Sequence, residues 1–183
     1  MDDLVRQAMA KWPNVPDCFG WLGLDSRGQW FMRDDRVQAV GHFQSGLPGA
    51  KGSRLQHDKL IAFIQRNYDA DALGRWYFQN GPQRVYVELE STPFIWRLNP
   101  QGEVCAHTGL NATVRQCMID EDGRLYLLTS VGFGLLHTLD VPQAADLIEQ
   151  GLWSVEDCQR DRLPLRFGYV SSPQDHSKVG SDR

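Results

Sequence analysis

Four side chains near one glycine-rich stretch have the types that hold a phosphate. "GLPGAKGS" (46–53) carries Lys51 and Ser53, Arg54 follows, and Lys59 comes a few residues later. A phosphate-binding loop places Lys directly after its last Gly and Ser or Thr directly after Lys. Here Lys51 follows Ala50 and Gly52 separates it from Ser53, so charge and hydroxyl stand off their stations. What remains is a basic turn at a helix start, where unpaired N–H groups and the helix dipole favour an anion. Lys51, Ser53, Arg54 and Lys59 are therefore the candidate ligand-binding residues, for a small anionic or nucleotide-like molecule.

Cys105 and His107 lie two apart on an expected strand, and Cys117 could sit on the neighbouring one, a donor set that suits zinc. The expected hairpin register puts Trp96 beside Cys105 and Phe94 beside His107, and no fourth ligand follows, so no metal is expected. No G-x-S-x-G elbow is present. Glu88 and Glu90 share a strand face and could in principle form an acid–base pair, although a wetted face balanced by Arg84 is much the more common outcome. No catalytic residue and no cofactor are assigned, and the reading leans away from an enzyme.

The elements that would position these residues read mostly as antiparallel strands. Asp2 or Asp3 can cap a first helix that Pro13 and Pro16 end. The pattern apolar–Asp/Asn–x–x–Gly–x–apolar occurs at "LDSRGQW", "LNPQGEV" and "IDEDGRL", giving three hairpins. In the first, Gly23 would face Trp30 and Leu22 would face Phe31. "RVYVELE" alternates as a half-buried strand with one wet face. A second helix lies within Arg54–Asn67, capped by Ser53 or Asp58, and a third spans about 141–150, capped by Asp140 with Gln143. "SVGFGLLHTL" reads as a buried strand or tight bend, and "LRFGYV" after Pro164 as a last strand.

The chain has 183 residues and a net charge of −4, so it does not coat DNA. No apolar run approaches the roughly 20 residues of a membrane helix, and the start lacks a secretory signal. Cys18, Cys105, Cys117 and Cys158 are scattered without a CxxC pair, as for free thiols in the cytoplasm.

"DSRGQWF" and "WYFQNGPQRVYVELESTPF" resemble a bacterial family, domain of unknown function 1285. Gly28, Trp30 and Phe31 match its Gly-x-Trp-Phe hairpin. Tyr77, Pro82, Glu90, Pro93 and Phe94 match its following strands. Ser91-Thr92 stands where the family has Asp-Ala, and the loop "GHFQSGLPGAKGS" is inserted, so the resemblance extends either to that family or to a cousin family, equally uncharacterised. The resemblance implies a two-part fold with duplicated strand–helix elements, the second part like a pleckstrin-homology barrel. It also implies a site for a nucleotide-like ligand between the parts and a signalling role.

The expectation is an α+β protein, mainly antiparallel with about three helices, in two similar sheet-plus-helix halves. Residues 1–75 form the first and 76–170 the second, with 171–183 a flexible tail. The leading function is a non-enzymatic cytoplasmic ligand-binding or regulatory module. The alternatives are a small enzyme acting on a phosphorylated or nucleotide-like metabolite and a protein–protein adaptor or homodimer.

Overall fold

Leu24 pairs with Trp30, Leu98 with Val104 and Ile119 with Leu125, so each repeat is one five-residue hairpin turn. In each, the backbone N–H of the Asp or Asn donates across the turn to the residue after Gly. The side-chain oxygen accepts the backbone N–H groups that the turn leaves over, as Asp120 does from Asp122 and Arg124. A fourth copy, "ADALGRW", joins Ala70 to Trp76 through Asp71 and Gly74.

A computed structural model describes residues 1–177. Contacts divide the chain into two units. The first is Met1–Asp25, Gln29–Glu90 and the segment from Tyr169; the second is Ser26–Gly28 and Ser91–Gly168. The division thus falls at Glu90 and Ser91 rather than at 75 and 76.

The first unit runs α1 (Asp3–Lys11), β1 (Cys18–Leu24), β2 (Trp30–Met32), α2 (Asp35–Val40), β3 (Ser53–Arg54), α3 (Asp58–Arg66), β4 (Tyr68–Ala70), β5 (Trp76–Asn80) and β6 (Gln83–Leu89). Its sheet order is β3-β2-β1-β6-β5-β4. Two three-stranded meanders are thus joined where β1 and β6 lie parallel. α3 carries the chain from one edge of the sheet to the other and stacks Phe63 edge-on against Phe78 of β5.

The second unit continues with β7 (Phe94–Leu98), β8 (Val104–Ala106), β9 (Asn111–Ala112), β10 (Val114–Ile119), β11 (Leu125–Thr129), β12 (Phe133–Leu136), α4 (Val141–Glu149), β13 (Val155–Asp157) and α5 (Leu163–Phe167). The chain then re-enters the first unit, ending in α6 (Pro173–Ser177). The second sheet is ordered β13-β10-β11-β12-β7-β8-β9. Again two meanders join through a parallel pair, β7 with β12. In both units the first strand of the first meander meets the last strand of the second, so the halves share one topology. The sheets are mixed rather than purely antiparallel, because each join is parallel.

The connection between meanders sets the difference between the units. In the first, α3 spans the sheet. In the second, only Thr113 separates β9 from β10, although four strands lie between them in the sheet order. Two residues reach about 7 Å at most. The second sheet must therefore curl until its β9 edge meets β10, leaving a seam there.

Several local expectations change. "LRFGYV" is not a strand: Pro164 sits in the first turn of α5, where its missing N–H is harmless, and Gly168 ends the helix at φ 65°. Ser53 does not begin a helix but lies in β3, and His57 caps α3 by accepting the Leu60 N–H. Asp140 makes no cap bond to α4. Its carboxylate takes Arg97 Nε at 2.6 Å and the Leu98 N–H at 3.0 Å, and Gln143 donates to the Asn99 carbonyl instead. Residues 171–177 are not a bare tail, since Gln174 bonds to Glu88 and Gln38; 178–183 lie outside the described residues.

Candidate functional site

The basic residues near the glycine-rich stretch do not gather on a helix start. Lys51 Nζ pairs with Glu90 Oε1 at 2.6 Å and lies over the Phe31 and Phe43 rings. Ser53 and Arg54 occupy the exposed edge strand β3 and end four residues before α3. Lys59 alone belongs to the helix's first turn.

The loop has another occupant. Arg33, only 1% exposed, donates Nε to the Ala50 carbonyl at 2.8 Å, Nη2 to Gly41 at 2.6 Å and Nη1 to Gly20 at 3.3 Å. The stretch from Gly41 to Gly52 thus turns carbonyl oxygens inward around a guanidinium. Glu88, also 1% exposed, supplies the opposing charge. Its Oε1 accepts the Gln174 N–H at 3.1 Å, and Gln44 Nε2, 3.4 Å from Oε2, also donates to Leu89 and Ser171 carbonyls. Burial raises the Glu88 carboxyl above the usual range, while these donors and Arg33 act the other way. Glu88 and Glu90 therefore do not form a wetted pair. Tyr86, Val87, Glu88 and Leu89 are all buried, because β6 is central in its sheet. Nothing in the spacing of "FMRDD" marked Arg33. The usable signal was the density of glycines in 41–52, which lets carbonyls converge.

The zinc candidates separate. Cys105 is in β8 and Cys117 in β10, with β11, β12 and β7 between them. His107 lies past the end of β8, in the turn. Its Nδ1 accepts the Ile95 N–H at 3.2 Å and its Nε2 is out of solvent, so burial pulls the imidazole down to about 3. Cys117 is pushed up to about 11 by burial and then by Cys158. No group of three or more His, Cys, Asp or Glu able to hold a metal occurs among the described residues.

Two clefts remain. In the first unit an apolar hollow of about 240 Å³ is walled by Trp21, Met32, Leu60, Phe78 and Val85, with Cys18 at its side. Burial raises the Cys18 thiol, which favours its uncharged, unreactive form. In the second unit a cleft of mixed polar and apolar lining, about 490 Å³, opens at the β9–β10 seam. Glu103, Asn111, Thr113, Ser130 and Trp153 face it. Asn99 Nδ2 holds Glu103 Oε2 at 2.7 Å, and the Ser130 hydroxyl oxygen accepts the Thr113 N–H at 3.0 Å. Asn111 and Trp153 make no side-chain hydrogen bond, and the indole no ring contact, among the described residues. Sequence reasoning missed this cleft because its walls come from a turn, a two-residue strand and the segment after α4. Only the curl of the sheet brings them together.

The comparisons place the chain among proteins without an assigned activity. It is similar to the structure of a DUF1285 family protein from Silicibacter pomeroyi DSS-3, at 15% identity over 80% of this chain and 85% of that one, with a TM-score of 0.49. A DUF1285 family protein from Shewanella baltica OS155 is similar at 15% identity over 69% and 91%, with a TM-score of 0.45. The resemblance to DUF1285 is thus present but distant. No curated protein matches. The sequence profile of DUF2944, described as a protein of unknown function (DUF2946), matches residues 1–174, and the chain belongs to that family.

Proposed function

We propose that this protein is a cytoplasmic ligand-binding module with a regulatory or signalling role, and that the ligand enters the cleft at the β9–β10 seam. The observation that carries this reading is a cleft whose indole and amide have no intramolecular work. At about 490 Å³ it falls within the range of roughly 300–1,000 Å³ usual for ligand sites. Its single carboxylate, Glu103, is tied to Asn99, and its walls offer no second acid or base within which a proton could be passed. That favours binding over catalysis. The commitment of Lys51 to Glu90 weighs against a phosphate-handling enzyme at the glycine-rich stretch. Free thiols on all four cysteines agree with a reducing compartment.

The test is an NMR screen of the full chain against a library of small polar fragments. The reading expects shifts concentrated on the backbone amides of 111–114 and the Trp153 indole. Shifts confined to other surfaces, or none at all, would remove it.

A further inference from the structure

Resting on the cleft reading, we infer that the ligand is a neutral saccharide and not a nucleotide or phosphorylated metabolite. Charge is the first argument. The residues facing the cleft include Glu103 and no Lys, Arg or His. A phosphate entering there would lose water, meet a carboxylate and find no cation, which is costly in a partly desolvated site. A neutral molecule has no such cost.

The second argument is the make-up of the polar set. Asn111 offers an amide N–H and a carbonyl oxygen, and Thr113 a hydroxyl. Both are exposed and line the cleft, two positions apart in the chain. Ser130 accepts the Thr113 N–H and so keeps its own proton to donate. Glu103 has one oxygen fixed by Asn99, which leaves Oε1 to accept. The cleft thus offers both donors and acceptors, as vicinal hydroxyls require, because each hydroxyl both gives and takes a bond.

Trp153 supplies the third element. A half-buried indole with no ring partner among the described residues is a flat apolar plate beside polar groups. The C–H face of a pyranose fits such a plate while its hydroxyls point to the polar groups. A nucleobase could also stack, but its phosphates would meet the charge barrier. A peptide strand is a poorer occupant, since β9 offers only two residues of open edge. Cleavage of the sugar is not part of the inference, because glycoside hydrolysis uses two carboxylates and the cleft has one.

The experiment titrates the full chain with cellobiose, maltose, glucose 6-phosphate and AMP, following the Trp153 indole and Asn111 side-chain amide by NMR. At least one disaccharide should shift both signals, and neither phosphate should match its affinity. Trp153→Ala should weaken that binding about tenfold and Asn111→Ala about fivefold, with unchanged unfolding midpoints showing that both variants fold. Phosphates shifting those groups while the disaccharides do not would overturn the saccharide assignment and leave the cleft a binding site. Disaccharide binding that survives Trp153→Ala would move the sugar elsewhere and also overturn it. Silence from every compound, the fragment library included, would bring down both readings.

Discussion

Arg33 Nε donates to the carbonyl of Ala50 at 2.8 Å, and that bond inverts the chemistry of the glycine-rich stretch. A phosphate-binding loop turns backbone N–H groups inward to meet an anion. This loop turns carbonyls inward to meet a cation. Glycine permits either arrangement, so glycine content alone does not tell them apart. The sign of the buried partner does. Because the cation is the protein's own, the loop functions as a latch on the sheet.

Removing that cation should be costly. Arg33→Met would leave three carbonyls and the Glu88 carboxylate without their buried partner. Loss of about 3 kcal/mol is expected, the scale on which a buried charge is left uncompensated. Arg33→Lys should recover only part, since an ammonium cannot reproduce the planar fork. Urea unfolding measures both. A loss below about 1 kcal/mol for Arg33→Met would mean that water replaces the guanidinium.

Glu88 predicts a pH dependence of definite sign. Its folded carboxyl titrates above the ordinary 4.5, with burial the main cause. The folded state therefore holds the proton more tightly than the unfolded state. The corresponding stability is present in full below about pH 4.5 and is lost as pH rises through the folded value. Glu88→Gln removes this component. Relative to wild type, the variant should thus gain stability as pH goes from 4.5 to 7. Urea midpoints at several pH values would show it. Parallel profiles for the two proteins would mean that the donors to Glu88, together with Arg33, cancel the effect of burial.

His107 carries the opposite sign. Burial holds its folded value at about 3, against 6.5 for the free side chain. Below pH 6.5 the unfolded chain gains a proton that the folded chain refuses, so stability should fall as pH drops from 6.5 toward 3. His107→Leu should flatten that part of the profile. Titration of the ring by NMR offers a direct check, and a midpoint near 6 would contradict the burial argument.

The hairpins were legible in the sequence because their chemistry is local: Asp or Asn bonds the turn and Gly supplies positive φ. Their registers were not. Gly23 pairs with Phe31 rather than Trp30, and Cys105 with Arg97 rather than Trp96, one residue off in each case. The turn holds five residues between the last paired positions, and counting it as four moves every partner. The aromatic over Gly23 is Phe43, brought from a distant loop; a Cβ there would lie 2.5 Å from its ring. The parallel joins β1–β6 and β7–β12 escaped for a similar reason. They link residues more than thirty positions apart, and alternation says nothing about which strand lies alongside. The seam cleft depends on those joins, since they set the strand order that forces the second sheet to curl. Its residues carry no motif of their own.

Two glycines separate backbone strain from packing. Gly123 sits at φ 79° in the third hairpin turn, and a Cβ added there would meet nothing within 4 Å. Gly123→Ala should therefore cost only the left-handed backbone penalty, on the order of 1 kcal/mol. Gly52 has nearly the same φ, 82°, but its added Cβ would fall 2.2 Å from the Met32 carbonyl oxygen. That oxygen belongs to a strand whose next residue is Arg33, so it cannot move without disturbing the latch. Gly52→Ala should cost several times as much as Gly123→Ala. It should also expose the loop, which proteolysis within 41–52 would report. Equal costs for the two variants would mean that the loop yields freely, and the latch would then contribute little to holding this sheet.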